Sequence, residues 1–280
     1  MLNLIKMNMY RLLKSKNFIA LIVMIVLAFA ITKVQVLLVT GMASIETATI
    51  DGDGNVVYET TETETEEVAP EFTVMDLFAG FSSEMTSLFM AIFAVVYCEN
   101  ERKNGFVKNL SVTKREKPLV FAAKVAPVTV FAILLQISVF IGVAIAALTY
   151  KDVKLGEIMP VLKYTGVETV LTIAFGMFSM SMYELFRKNV PAIIFGTFTA
   201  IGLTGQIVAL IQMGLNKLGI LSNSFCEKFI FTDHFISTRI AVINPSDLAG
   251  GKVPALVIGA VGLVFYLALG MTLYGKKDVV

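Results

Sequence analysis

Long apolar runs separated by short polar stretches set the pattern of this chain. The runs cover positions 18–40, 78–97, 119–148, 161–186, 190–212 and 254–274. A helix needs roughly 20 mostly apolar residues to cross about 30 Å of hydrocarbon, so each run predicts one spanning helix. The run over 119–148 is longer than one perpendicular crossing needs and predicts a tilted helix or one that extends beyond the lipid. Ahead of the first run, Leu2, Ile5, Met9, Leu12 and Leu13 recur at helical spacing, while Lys6, Arg11, Lys14 and Lys16 crowd the remaining surface. That pattern reads either as an interfacial amphipathic helix over 1–17, with its cations on anionic headgroups, or as a plain basic flank to the first span. The first run lacks a small-residue cleavage site and is too long for a signal segment, so it is expected to be retained.

Composition agrees with the pattern. Of 280 residues, 56% are hydrophobic and only 16% charged. This is the composition of an integral membrane protein. Basic residues stay in the cytoplasm more readily than they are translocated, which fixes an expected orientation. With the N-terminus inside, the cytoplasmic flanks and loops hold Lys6, Arg11, Lys14, Lys16, Arg102, Lys103, Lys108, Lys114, Arg115, Lys117, Lys124, Arg187, Lys188, Lys276 and Lys277. The other side collects fewer, and both termini are expected in the cytoplasm. The loop over 41–77 has no Lys or Arg and is rich in Glu, so it is expected outside.

Candidate chemistry is sparse. In the acidic loop, Asp51, Asp53, Asn55 and Glu62 occupy four ligand positions of a calcium loop, but Val56 stands where the sharp turn wants Gly. The flanking "TATI" and "NVVYET" favour two short strands around a turn. Cys98 and Cys226 lie on opposite sides of the membrane, and His234 has no second ligand near it in sequence, so no metal site is expected. No catalytic constellation and no nucleotide-binding P-loop occurs, and the short basic flanks do not suggest nucleic acid. Within the spans the ionisable and amide groups are few. Lys33 and Glu84 fall at similar depth on sequential spans, and Glu168 and Gln206 lie nearer the outer face, as an intramembrane pair or as the lining of an outlet.

The densest charge lies in the segment over 99–118, "ENERKNGFVKNLSVTKREKP". It is long for a simple turn and has room for a short helix with charges of both signs and an apolar edge, which suits docking to a soluble partner. A basic amphipathic N-terminus leading into a first span, followed after the second by Glu101, Gly105 and Lys108 at that spacing, resembles the type-2 exporter permeases of the ATP-binding-cassette transporters. This chain has Phe106 where that family often has Thr. The ending "LGMTLYGKKDVV" resembles the family's usual close.

The resemblance implies an all-α integral membrane protein with six transmembrane helices, an N-terminal interfacial helix and a cytoplasmic coupling helix. It also implies a long outer connection over 213–253 that dips back toward the membrane. Such a chain is a transport subunit in a bacterial cytoplasmic membrane and not itself an enzyme. It pairs with a second permease copy, identical or not, and with two copies of an ATPase subunit that bind ATP and Mg. Under that reading Glu99, Glu101, Arg102 and Lys103 are the polar contacts to the ATPase. Phe106, Val107 and Leu110 are the apolar anchors, with Gly105 and Lys108 completing the motif. The apolar inner half of the spans suits an amphipathic cargo, most plausibly an antimicrobial or toxic peptide or a lipid-like compound. A non-pumping immunity or sensor protein and a secondary transporter are the competing readings.

Overall fold

The computed structural model describes residues 2–14, 18–42, 47–50, 56–59, 73–104, 117–149, 156–222, 229–243, 247–248 and 253–276. Helix α1 (Leu2–Lys14) precedes α2 (Phe18–Met42). Two strands follow, β1 (Thr47–Ile50) antiparallel to β2 (Val56–Glu59), with Ile50 opposite Val56. Among the described residues this small hairpin is the exception to helical structure. The candidate calcium ligands Asp51, Asp53, Asn55 and Glu62 lie outside the described residues.

Helix α3 (Val74–Lys103) starts at a capping box. The Asp76 backbone N–H donates to Thr73 Oγ1, and the Thr73 N–H donates to the Asp76 carboxylate, so two donors that the helix cannot use internally are satisfied. The predicted run over 119–148 divides into α4 (Lys117–Ala122) and α5 (Val125–Ala147), interrupted at Ala123 and Lys124. Pro127 explains the break, because it has no N–H for the Ala123 carbonyl and its ring crowds that carbonyl. Helix α6 (Ile158–Phe186) ends at Arg187, which takes the left-handed conformation at φ 56°.

The fifth predicted span, over 190–212, is not one straight helix. It divides into α7 (Asn189–Ala200) and α8 (Leu203–Lys217), bent by 70°. Gly202 sits in the bend at φ 80°, a conformation that glycine adopts without steric cost. At 1.5 Å per residue α7 is only about 18 Å long, too short to cross alone. Five helices are therefore long and apolar enough to cross a membrane, or six if α7 and α8 count as one bent crossing. The architecture is that of a multi-pass membrane protein.

Helices α3 and α6 form the buried centre, with α5 and α7 against them, α2 leaning on α5, and the last helix α10 (Ala255–Gly275) lying along α6. Close approach is set by small residues. A Cβ at Gly142 would come within 2.6 Å of Ala28 and of the Ile25 carbonyl, so α2 can reach α5 only because position 142 has no side chain. Gly176 brings α6 equally near Met90 of α3 and Val128 of α5. Phe93 of α3 stacks on Phe131 of α5 with ring centroids 3.7 Å apart. Facing outward are Ile133, Ile137 and Ile145 of α5 and Val261, Val264 and Phe265 of α10, an apolar exterior suited to lipid.

The connection between α8 and α10 folds back onto the bundle. It contains a 3-10 turn (Phe231–His234) and α9 (Ile236–Val242), which packs on α3, α6 and α10 and buries Ile236 and Ile240. Arg239 is buried here, its Nε donating to the Asp233 carbonyl at 2.7 Å.

Candidate functional site

Two polar assemblies stand out at different depths of the bundle. The first gathers where α3 and α6 finish, α4 meets α5, and α10 closes. The interruption before α5 leaves Lys124 between helices, and its amine turns inward, 1% exposed. Lys124 Nζ lies 2.6 Å from Glu101 Oε2 of α3 and 3.8 Å from Glu184 Oε1 of α6. Glu101, 2% exposed, is also 3.8 Å from Arg11 Nη1 of α1. The Lys124 amine sits over the rings of Phe121 and Tyr274, and the Arg11 guanidinium over the ring of Tyr97. Tyr97 in turn donates its hydroxyl to the Asn8 carbonyl at 3.2 Å. Among the described residues two cations and two carboxylates meet in a buried site that ties α1, α3, the α4–α5 break, α6 and α10 together. Cys98 is buried beside the same amine, its Sγ 3.7 Å from Nζ.

On the surface of that end lies an open groove of about 500 Å³ lined by Glu99, Arg102, Lys103, Arg187, Lys188, Asn189, Val190 and Pro191. Tyr183 donates to Glu99 Oε2 at 2.5 Å, and Lys103 pairs with Glu99 one turn away at 3.3 Å. Arg102 donates to the Arg187 carbonyl at 2.6 Å, which joins the end of α3 to the left-handed close of α6. Of the four residues expected to meet a partner here, Glu99, Arg102 and Lys103 line the groove. Glu101 does not, because the same helix turns its carboxylate inward to Lys124. Gly105, Phe106, Val107, Lys108 and Leu110 lie outside the described residues.

The second assembly is farther along the same helices. Glu168 of α6 is fully buried between α3, α5 and α6. Its Oε2 accepts from Ser82 Oγ at 2.8 Å, and its Oε1 lies 2.9 Å from Thr86 Oγ1. Tyr164, one turn before Glu168, brings its hydroxyl within 3.1 Å of both Ser82 Oγ and the Ala79 carbonyl. Gln136 of α5 is buried and interacts with the same carboxyl, although neither of its amide atoms has a hydrogen bond of ordinary geometry. Counted along α6, Glu168 stands 16 residues from Glu184, about 24 Å from the ion cluster.

Two of the other intramembrane candidates, Lys33 and Gln206, lie elsewhere. Lys33 sits over the Phe29 ring on its own helix. Gln206 is exposed on α8, not facing Glu168. The backbone of Glu84 belongs to α3, but its side chain is outside the described residues. Among the described residues no group of three or more His, Cys, Asp or Glu could hold a metal ion.

Sequence reading missed Lys124 and Glu184, and it missed the cage around Glu168. Both left a trace. Lys124 stands alone inside "VFAAKVAPV", three residues before the proline that breaks the helix, and was counted only as a basic flank. Ser82 and Thr86, like Tyr164 and Glu168, are polar pairs four residues apart on apolar helices, which places each pair on one face.

Compared with protein-family models and with curated proteins, the chain matches none.

Proposed function

We propose that this chain is the transmembrane permease subunit of an ATP-driven exporter of the type-2 class, working with a separately encoded ATPase. The observation that carries the reading is the stacking of two features at one end of the bundle. A charged groove formed by Glu99, Arg102, Lys103, Arg187 and Lys188 lies at the surface. Directly beneath it the Lys124 cluster ties that surface to four of the long helical segments and to α1. A partner that pushes on the groove moves the end of α3, and α3 cannot move without α6, α5 and α10. That is what coupling between a soluble motor and membrane helices requires, since packed elements shift as bodies between discrete arrangements.

The sequence pattern of Glu101, Gly105 and Lys108 within the segment over 99–118 supports the docking role, and α1 lies along the inner leaflet with Leu12 packed inward. The bent α7–α8 pair is the fifth crossing of six, and both termini face the cytoplasm. Hydrolysis resides in two ATPase subunits, which bind ATP and Mg. Two permease copies form the pathway. The cargo is an amphipathic compound of the class of antimicrobial or toxic peptides that enters from the inner leaflet. A second groove at the same end supports that entry route. It is about 490 Å³, lies between α4 and α10, and is lined by Pro118, Ala268, Met271, Thr272, Gly275 and Lys276. Its walls are apolar with one cation at the rim, suited to an apolar body with a polar head.

Single cysteines in a cysteine-free background test the orientation on which this reading depends. Cysteine at Ser222 is expected to react with an impermeant thiol reagent in whole cells, and cysteine at Lys103 only after the membrane is opened. Labelling of position 103 in intact cells places the groove outside and removes it from any cytoplasmic ATPase.

A further inference from the structure

Among the described residues, the short oxygen–oxygen contacts around Glu168 outnumber the hydroxyl protons that can bridge them. Five contacts of 3.1 Å or less occur there among those residues. They are Thr86 Oγ1 to the Ser82 carbonyl at 2.6 Å, Ser82 Oγ to Glu168 Oε2 at 2.8 Å, Thr86 Oγ1 to Glu168 Oε1 at 2.9 Å, Ser82 Oγ to the Tyr164 hydroxyl at 3.1 Å and the Tyr164 hydroxyl to the Ala79 carbonyl at 3.1 Å. A hydrogen bond needs one proton between two oxygens, and three hydroxyls supply three protons. Thr86 has a single proton, and its shortest contact is to the carbonyl four residues back, the usual bond of a helical threonine. If Glu168 were ionised, the Thr86 oxygen would then face a charged carboxylate oxygen at 2.9 Å with nothing between them.

We propose that Glu168 is a proton-binding site, a carboxylic acid caged between α3 and α6 by Ser82, Thr86 and Tyr164, whose loss of the proton is linked to separation of those helices. With a proton on Oε1, Glu168 donates to Thr86, Thr86 to the Ser82 carbonyl, Ser82 to Oε2, and Tyr164 to the Ala79 carbonyl. Only the Ser82–Tyr164 approach is then unbridged, at van der Waals distance.

Among the described residues no Lys, Arg or His forms an ion pair with Glu168. Helices α5 and α7 contain no ionisable residue. On α3, Asp76 is committed to the cap at Thr73, and the Glu84 side chain lies outside the described residues. On α9, Arg239 is paired with Asp233. On α10 the titratable groups are Tyr266 and Tyr274, and on α6 itself Tyr164 belongs to the cage, Lys163 is exposed and Glu184 belongs to the ion cluster at the far end. A buried carboxylate with no cation beside it keeps most of its desolvation cost even when hydroxyls donate to it, and parting of α3 and α6 would let water in to lower that cost. The packed arrangement therefore binds the proton more tightly than an opened one. The sign follows: the packed bundle is fully favoured at low pH and loses that advantage as pH rises.

The test is infrared spectroscopy of the full chain in lipid nanodiscs at neutral pH, with and without carboxyl-13C glutamate. The expected result is a carbonyl band of an un-ionised carboxylic acid that shifts on labelling, moves on Ser82→Ala, and is lost in Glu168→Gln. Absence of any label-sensitive acid band in the wild-type chain overturns the proposal, as does a band that survives Glu168→Gln. The wild-type spectrum decides even where the variant fails to fold. As a second readout, the thermal stability of the wild type should fall with rising pH more steeply than that of Glu168→Gln. Equal slopes contradict the linkage. Neither measurement involves an ATPase or cargo, so the outcome is independent of the exporter reading.

Discussion

Replacing Lys124 with methionine is expected to destabilise the membrane-embedded chain by about 3–5 kcal/mol, the usual cost of removing one partner from a buried ion pair. The large figure follows from where the charges lie. Glu101 is 2% exposed and Lys124 1%, so Glu101 would be left with only the longer contact to Arg11, and Glu184 would lose the same amine. Methionine matches the length and apolar stem of lysine, so the cavity effect is small and the loss reports charge. Changing Glu101 to glutamine in the same chain is expected to recover part of the loss, because the orphaned carboxylate is then gone. Thermal unfolding in nanodiscs of the two single variants and the double variant checks this. If both singles are neutral, the cluster does not tie the helices together.

Hydrophobic pattern predicted the long helices well because apolar length alone decides them. What it leaves open is the path within an apolar run, where one residue can interrupt or bend the helix while the run still counts as one candidate span. Pro127 divides 119–148 into two helices, and Gly202 bends 190–212 by 70°. Both residues are visible in the sequence, but neither composition nor periodicity tells whether a proline kinks a helix or is accommodated by it. The two polar assemblies were less legible. Counting Lys and Arg by loop treats each as a surface charge, so Lys124 was assigned to the water when it faces Glu101. Whether Glu101 points out to a partner or in to Lys124 depends on the rotation of α3 against α5 and α6, which is a tertiary quantity. Glu168 is legible as an intramembrane acid, but its partners Ser82 and Thr86 come from α3, a helix distant in the chain.

Charge reversal in the groove, Lys103→Glu combined with Lys188→Glu, is expected to weaken association with the partner ATPase at least tenfold, about 1.4 kcal/mol, while leaving the stability of the permease within about 0.5 kcal/mol. Lys103 is 66% exposed, and its pair with Glu99 is a one-turn surface pair, worth little to the fold. The groove has four cations against one carboxylate, which suits an acidic face on the partner, and two reversed charges oppose such a face directly. Glu101 is the contrasting position. Its replacement acts through the buried cluster and should lower stability, so a stable chain with a lost interface distinguishes docking from folding. Binding of the ATPase to immobilised nanodiscs measures the difference. Unchanged affinity in the double reversal moves the interface away from this groove.

A permease of the proposed kind has an ATPase partner that works only through it. ATP hydrolysis by that partner, measured alone, with the permease in nanodiscs, and with amphipathic peptides, lipids or hydrophilic solutes added, tests this dependence. The predicted result is hydrolysis that depends on the permease and rises further with an amphipathic peptide but not with a hydrophilic solute. Stimulation by a hydrophilic solute alone would contradict the assignment of cargo, and hydrolysis indifferent to the presence of the permease would contradict the dependence itself.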